Sequence, residues 1–156
     1  AKISEVIDET LVVVWNELKY KAAVKKEFGD LPPVKCNVGE IKQVLVNLLV
    51  NAAHAIEGSG TITITTRSEG ADVLIAIRDT GCGIPAENLK RIFDPFFTTK
   101  PVGRGTGLGL WISATIIDKH NGSLTVESTI GSGTEFTIRL PIDPQAEVAS
   151  SETGLA

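Results

Sequence analysis

Hydrophobic side chains recur along the chain with two different periods, and the changes of period mark the predicted helices and strands. Residues 3–19 place apolar side chains at helical spacing, which predicts an amphipathic helix. Residues 40–56 contain no Gly or Pro and are rich in Leu, Val and Ala, which predicts a largely buried helix. Residues 61–67 alternate β-branched side chains and residues 73–78 are almost continuously apolar, which predicts two strands.

The other predicted elements are shorter. They are strands at 24–28 and 34–37, a helix at 86–93, a helix from 107 to 119 that ends in a left-handed cap at Asn121-Gly122, and a strand pair at 124–128 and 134–140. This order predicts an α+β fold, a two-layer α/β sandwich whose mixed, mostly antiparallel sheet of about five strands is covered on one face by three helices. We expect residues 1–142 to form one domain and residues 143–156, which are small and polar, to form a disordered tail.

Composition excludes several classes of partner. The 156 residues carry a net charge of −4 and 22% charged residues, so neither nucleic acid nor an anionic membrane surface is an expected partner. No apolar run reaches the ~18 residues that span a bilayer, and no signal peptide is recognised. Cys36 and Cys82 are far apart in the sequence. Reduced thiols and a cytoplasmic location are therefore expected for this domain, whether the full protein is membrane-anchored or soluble.

Two glycine-rich segments are the first candidates for ligand binding. Residues 79–85 (DTGCGIP) follow a predicted strand, and residues 103–110 (GRGTGLGL) open a predicted helix. Alternating glycines let backbone N–H groups approach a ligand closely, and a helix N-terminus favours an anion, so a phosphate-bearing ligand is expected. The spacing matches neither a P-loop nor a dinucleotide fingerprint, and a flexible surface loop is the alternative for the second glycine run taken alone.

A polar stripe on the buried helix is the second candidate. At about 100° per residue, five polar side chains fall within roughly 80° of one another on a helix whose other residues, apart from Lys42, are apolar: Glu40, Gln43, Asn47, Asn51 and His54. Buried Asn costs free energy unless its amide is hydrogen-bonded, so two Asn and a His on one face indicate a lined pocket. A stripe satisfied by neighbouring side chains is the alternative.

These motifs together resemble the catalytic, ATP-binding domain of sensor histidine kinases. The segment NLLVNA with His54 is similar to the family's N box, DTGCGIP to its G1 box, IFDPFF to its F box and GRGTGLGL to its G2 box. The closing GSGTEFTIRLP is similar to the strand pair that ends the domain, so the resemblance covers residues 38–141. It implies the Bergerat fold, shared with DNA gyrase B and the heat-shock chaperone ATPases, with a nucleotide between the helices and a lid.

The resemblance also implies an activity and partners. Such a domain binds Mg–ATP and donates the γ-phosphate to a histidine on a separate dimerisation and phosphoacceptor domain, upstream in a homodimeric full protein. A response regulator receiver domain is the expected partner in two-component signalling. His54 and His120 do not lie in the sequence context of a phosphoacceptor histidine, so that domain is expected outside this chain.

At the base end of the implied site, Asp79 reads the exocyclic amine of adenine. A carboxylate is an acceptor only, and it suits the amine of adenine but not the carbonyl of guanine. Thr134 supports the same edge through its hydroxyl and a water, while Gly81 and Gly83 keep the loop small. The alternative for Asp79 is an Asx residue that initiates a turn.

At the phosphate end, Asn51 is the implied magnesium ligand, since its amide oxygen is a hard, neutral donor. Asn47 hydrogen-bonds phosphate or metal-bound water, and His54 contacts phosphate unless it is merely packed at the helix end. Residues 98–106 form the implied lid. Either Lys100 or Arg104 neutralises the γ-phosphate, with a solvated surface charge as the alternative for each.

The resemblance thus implies two sets of residues. Asn47, Asn51, Lys100 and Arg104 are the implied catalytic residues, and the implied nucleotide contacts are Asn47, Asn51, His54, Asp79, Gly81, Gly83, Ile84, Lys100, Gly105, Thr106, Gly107, Leu108, Gly109 and Thr134.

Two other functions use the same fold. One is an ATP-hydrolysing conformational module of the gyrase or chaperone type, and the other is a non-catalytic regulatory module that binds nucleotide or only a partner. The hydrolases carry a Glu one helical turn before the magnesium Asn. In this chain that position is Asn47, and a neutral amide cannot act as a general base.

Overall fold

The computed structural model describes residues 1–97 and 108–143. The helices and strands in chain order are α1 (Ile3–Leu18), β1 (Ala22–Phe28), α2 (Val38–Ala55), β2 (Gly60–Glu69), β3 (Asp72–Asp79), α3 (Ala86–Leu89), α4 (Gly109–Lys119), β4 (Ser123–Thr129) and β5 (Gly133–Pro141). No helix in these two ranges is long and apolar enough to cross a membrane.

The five strands form one sheet in the order β1-β2-β3-β5-β4. β1 pairs with β2 in parallel, and the β2–β3, β3–β5 and β5–β4 pairs are all antiparallel. The sheet is therefore mixed and mostly antiparallel, as predicted. β3 and β5 lie side by side, so Asp79 at the end of β3 is next to Thr134 near the start of β5.

Burial alternates along the central strands because one face of the sheet is covered by helices. The covered face carries apolar side chains that are almost fully buried: Ile62, Ile64, Val73, Ile75, Ile77, Phe136, Ile138 and Leu140. α1, α2 and α4 contribute the opposite side of the same core, and α2 is buried over most of its length. The predicted arrangement of three helices on one face is confirmed.

The start of α2 is set by a local cap. Asn37 has extended backbone, and its side chain accepts a hydrogen bond from the Glu40 N–H at 3.0 Å. This bond satisfies one of the N–H groups that a helix start leaves without an intrahelical partner. α2 consequently begins two residues before the predicted boundary, at Val38 rather than Glu40.

The strand predicted at residues 34–37 is wrong. Val34 is buried, but its N–H donates to the Ala1 carbonyl (2.8 Å) and the Lys35 N–H donates to the Ile142 carbonyl (2.9 Å). These are isolated bonds to different parts of the chain, not a ladder with one partner strand. The segment connects β1 to α2, and its backbone bonds to both the first residue of the chain and the residue after β5.

The helix predicted at residues 86–93 is shorter than expected, because α3 ends at Leu89. The chain continues in turns, in which the Arg91 N–H donates to the Asn88 carbonyl and the Asp94 N–H to the Arg91 carbonyl, both at 2.9 Å. Pro95 also disfavours helical backbone at the residue before it. The turns still bury Ile92, so the apolar pattern reflects burial rather than α-helix.

The predicted left-handed cap after α4 is confirmed, since Asn121 has a φ of 59°. The implied lid at residues 98–106 lies outside the described residues, as do the residues beyond Asp143 and the glycines of the second loop up to Gly107.

Candidate functional site

The base end of the candidate site is built around Asp79, the last residue of β3. Its side chain is 3% exposed and accepts a hydrogen bond from the Gly81 N–H at 2.8 Å. Burial raises the pKa of the Asp79 carboxyl, and hydrogen bonds from the backbone N–H groups of Gly81 and Thr134 oppose that rise. The Asx turn that the sequence offered as the alternative is therefore present, and the carboxyl group that forms it is buried.

Gly81 brings the loop after β3 against the end of α2. A Cβ atom on Gly81 would lie 2.6 Å from the Ala55 carbonyl oxygen and 2.7 Å from the Ala55 Cβ. The same carbonyl accepts a hydrogen bond from the Cys82 N–H at 3.0 Å. Only glycine fits this approach, so the predicted need for a small residue at position 81 rests on contact with α2.

Gly83 and Ile84 fasten the other side of the loop to β4. Gly83 has a φ of +80°, and a Cβ atom there would collide with the Thr129 carbonyl oxygen. The Ile84 N–H donates to the Ser128 hydroxyl oxygen at 2.7 Å. Left-handed backbone and close approach both require glycine at position 83.

Thr134 is the ladder partner of Asp79 across the β3–β5 pair. Its side chain is buried, and its hydroxyl lies 2.8 Å from the Ser128 hydroxyl. The structure thus brings together five residues that the sequence assigned to the base end: Asp79, Gly81, Gly83, Ile84 and Thr134.

Ser128 joins this group but was not a predicted site residue. It occupies an inward position on β4, in register with Leu124 and Val126. A hydroxyl among inward apolar positions was the sequence signal that could have identified it.

The predicted polar stripe of α2 lies along the seam with α4. Glu40 pairs with Lys119 at 2.8 Å, and this hydrogen bond lowers the pKa of the Glu40 carboxyl. Asn47 donates to the Gly109 carbonyl (3.1 Å) and to the Ser113 hydroxyl (3.2 Å). The alternative interpretation, a stripe satisfied by its neighbours, is therefore correct for these two members.

Asn51 and His54 occupy the last turns of α2. Asn51 is half-buried and His54 is exposed, so both are nearer to solvent than the apolar side chains around them. The assignment of Asn51 to magnesium and of His54 to phosphate stays a prediction.

Leu108 and Gly109 begin α4. Leu108 is the residue before the helix, and its carbonyl accepts from the Ile112 N–H at 2.8 Å. Among the described residues, the atom nearest to a Cβ on Gly109 would be Asn47 Cγ at 3.8 Å, an ordinary contact. Gly109 also lies outside the left-handed region, so neither space nor backbone conformation explains glycine here.

The remaining predicted site residues lie outside the described residues. They are Lys100, Arg104, Gly105, Thr106 and Gly107. Their roles stay predictions from the sequence.

Lys21 is a further residue that the sequence did not indicate. Its Nζ donates to the carbonyl oxygens of Ala53 (3.3 Å) and Ile56 (3.4 Å), where α2 ends. A cation is favourable at a helix C-terminus, and this one steadies the turn that meets Gly81. The contact spans more than thirty positions of sequence, so no local pattern could show it.

Comparison with known proteins agrees with this geometry. The sequence model of the family described as histidine kinase-, DNA gyrase B-, and HSP90-like ATPase matches residues 36–144. The chain belongs to this ATPase family. It is an ATP-binding domain, and the predicted resemblance is confirmed.

Curated relatives of this ATPase domain are sensor kinases. Sporulation kinase E of Bacillus subtilis (strain 168) is 44% identical over 119 residues, which are 76% of this chain and 16% of that protein. Signal transduction histidine-protein kinase AtoS of Escherichia coli (strain K12) is 42% identical over 146 residues, which are 92% of this chain and 24% of that protein. The chain thus spans less than a quarter of the length of either relative.

Solved structures lead to the same family. The catalytic domain of histidine kinase ThkA has a TM-score of 0.83 and 34% identity, with 93% of this chain and 95% of that chain covered. Histidine kinase ThkA in complex with response regulator protein TrrA has a TM-score of 0.77 and 30% identity, with 93% of this chain and 42% of that chain covered. The predicted α+β fold is that of histidine kinase catalytic domains.

Proposed function

We propose that this ATPase domain binds Mg–ATP and donates the γ-phosphate to a histidine on a separate dimerisation and phosphoacceptor domain. The observation that carries the proposal is the buried Asp79 carboxyl at the end of β3. It lies beside Thr134 and beside a loop whose contact with α2 is made by Gly81. A buried acceptor at this position of an ATPase domain suits the amine of adenine.

The amide side chains of α2 suit the phosphate end. Asn51 would hold magnesium through its amide oxygen, and Asn47 would accept from a metal-bound water. A magnesium ion bound there would supply positive charge next to the phosphates. Lys100 and Arg104, which precede α4, would add charge at the terminal phosphate.

Histidines of this chain are poor acceptors for the phosphoryl group. His120 is 8% exposed, its Nε2 accepts from the Asn37 N–H at 3.1 Å, and its Nδ1 lies 2.8 Å from the Ile116 carbonyl. Both ring nitrogens therefore have structural partners. A phosphoacceptor must expose one nitrogen to the γ-phosphate, so His120 does not fit this role. His54 is exposed but does not lie in the sequence context of a phosphoacceptor histidine, so the acceptor histidine would belong to another domain.

Asn47 and Glu40 also argue for transfer rather than hydrolysis. Asn47 stands where the related hydrolases have a Glu, and an amide cannot accept a proton from water. Glu40 lies almost two turns before Asn47 and is paired with Lys119 at 2.8 Å. Phosphoryl transfer needs mainly alignment and charge neutralisation, so a domain without this base can still phosphorylate a histidine held in line.

The partners follow from this role. The full protein would be a homodimer, and a response regulator receiver domain would take the phosphate from the phosphohistidine. The solved complex of histidine kinase ThkA with response regulator protein TrrA supports this class of partner.

The decisive experiment supplies γ-labelled ATP to the chain alone and to the chain with the phosphoacceptor domain of its own full-length protein. We expect acid-labile label on the added domain and none on the chain alone, with slow release of inorganic phosphate in both. Rapid ATP hydrolysis by the chain alone would indicate a conformational ATPase. Absence of nucleotide binding would indicate a regulatory module.

Two cysteines provide a test of where the nucleotide binds. Cys82 is exposed between Gly81 and Gly83, whereas Cys36 is half-buried and burial raises the pKa of its thiol. We expect ATP to slow alkylation of Cys82 and to leave that of Cys36 unchanged, as measured by mass spectrometry. Equal protection of both thiols would contradict binding at this loop.

A further inference from the structure

A chain of side-chain hydrogen bonds runs across the seam between α2 and α4. Gln43 Nε2 donates to Asn47 Oδ1 at 3.1 Å. Asn47 Nδ2 donates to the Gly109 carbonyl at 3.1 Å and to the Ser113 hydroxyl at 3.2 Å. Neither Gln43 nor Ser113 has a role in the base or phosphate contacts described above.

These partners fix which way the Asn47 amide faces. The Gly109 carbonyl is an acceptor only, so turning the amide over would set Asn47 Oδ1 against another oxygen. Ser113 is fully buried on α4 and gives the second N–H of the amide an acceptor. Both N–H groups are therefore directed towards α4, and the oxygen is directed away from it.

Gln43 completes the arrangement from the other side. It lies one helical turn before Asn47, and its N–H donates to one lone pair of Asn47 Oδ1. An amide oxygen has two lone pairs, so the second is available to a ligand that can donate or to a cation. An amide with this orientation suits a metal ion or its bound water, and it does not suit a phosphate oxygen.

We propose that Gln43 and Ser113 are positioning residues that act through Asn47. They hold the amide so that its oxygen is presented to the nucleotide site, and they fasten the first turn of α4 to α2. The inference deepens the proposed function, because it specifies that Asn47 serves the magnesium side of Mg–ATP rather than the phosphate oxygens.

Gln43→Glu is the sharpest variant, because a carboxylate cannot donate to Asn47 Oδ1. It would instead accept from Asn47 Nδ2 and turn the amide over. We expect Mg–ATP affinity to fall about three- to tenfold, the effect of one hydrogen bond, and metal-free ADP affinity to stay within twofold. Ser113→Ala should lower Mg–ATP affinity about threefold, since the Gly109 carbonyl still orients the amide.

The charge of the new carboxylate cannot produce the same pattern. Position 43 is eight residues before Asn51, roughly 12 Å along the helix axis, and a negative charge there repels any anionic nucleotide weakly. Metal-free ADP is more negatively charged than Mg–ATP, so a loss of Mg–ATP affinity that spares ADP cannot come from charge. Unchanged or increased affinity would overturn the inference.

Two matched controls separate positioning from general damage. Asn16→Asp makes the same amide-to-carboxylate change at an exposed position of α1. Thr115→Ala removes a hydroxyl from α4 that bonds only within that helix, to the Trp111 carbonyl at 2.8 Å. Both controls should bind Mg–ATP and ADP like the unaltered chain. A loss in them equal to that of Gln43→Glu would overturn the inference.

The Asn47 side-chain amide also gives a signal without nucleotide. In a ¹⁵N–¹H spectrum its two N–H resonances should exchange slowly with water, and they should be shifted in Gln43→Glu but not in Asn16→Asp. Fast exchange in the unaltered chain would overturn the inference even if ATP binds. If no ATP binds to the unaltered chain, the proposed function itself is wrong.

Discussion

Asp79 at the end of β3 and Asn47 in the middle of α2 are both held by hydrogen bonds, but by different kinds of partner. Asp79 accepts from backbone N–H groups within a β-ladder and a glycine loop. Asn47 is held mainly by side chains, Gln43 and Ser113, with one backbone carbonyl at the start of α4. The proposed base end is therefore held by backbone hydrogen bonds, whereas the proposed phosphate end is held mainly by side chains where two helices pack.

This difference has a functional consequence. Adenine is the same in ATP and ADP, so a rigid base end can serve both nucleotides. The terminal phosphate is gained and lost in each cycle. A phosphate end held by side-chain hydrogen bonds, which can rearrange, is better suited to respond to that change. The predictions below compare the two ends, beginning with the largest effect.

Gly81→Ala should have the largest effect. The new Cβ would lie 2.6 Å from the Ala55 carbonyl oxygen, so the loop must leave the end of α2. We expect adenine nucleotide affinity to fall about a hundredfold or more and the free energy of unfolding to fall by about 1–3 kcal/mol. Calorimetry and thermal unfolding measure the two quantities.

Gly109→Ala is the matched control at the phosphate end. Its Cβ would meet Asn47 Cγ at 3.8 Å, and its backbone is helical. Stability should stay the same or rise, because Ala is a better helix former than Gly. Equal damage from both substitutions would contradict the claim that the base end is the rigid one.

Asp79→Asn should lower the affinity for ATP and for metal-free ADP by the same factor, roughly five- to 150-fold, which corresponds to about 1–3 kcal/mol. The unaltered chain should bind ATP far better than GTP, because the guanine carbonyl would face a buried acceptor. Calorimetry that gives equal affinities for ATP and GTP would contradict adenine recognition by Asp79.

Asn51→Ala should weaken only the binding and transfer that depend on magnesium. We expect Mg–ATP affinity to fall about tenfold and transfer to a supplied phosphoacceptor domain to disappear, while metal-free ADP still binds through its base. A magnesium titration of ATP binding measures the difference. Normal transfer by this variant would show that the metal assignment is wrong.

The smallest effect is a pH dependence of stability from Asp79. Its pKa is raised in the folded chain above the ordinary value of 3.8, so the folded state binds this proton more tightly than the unfolded state. Stability from the group is present below pH 3.8 and is lost as pH rises through the folded-state pKa.

Asp79→Asn removes that term, so the stability of the variant relative to the unaltered chain should increase as the pH rises from 3.8 towards neutrality. Urea unfolding at several pH values measures this trend. A relative stability that falls with rising pH would contradict the raised pKa.

The sequence by itself determined the helices, the strands and the family. The periods of the apolar side chains located all five strands and the long helices, because burial on one face imposes that spacing locally. Two expectations were wrong where local pattern and tertiary role differ. Val34 is buried in the irregular segment between β1 and α2, and Ile92 is buried in a series of turns, so each apolar residue indicated burial but not a strand or a long helix.

Only the tertiary structure decided what the polar residues of α2 contact. The sequence placed Gln43 and Asn47 on one face, but the partner surface of α4 lies more than sixty positions away. The same holds for Lys21, whose contacts at the end of α2 lie more than thirty positions away. A hydrogen bond depends on distances of a few tenths of an ångström, and these are set by how helices and strands pack against one another, which local spacing does not encode.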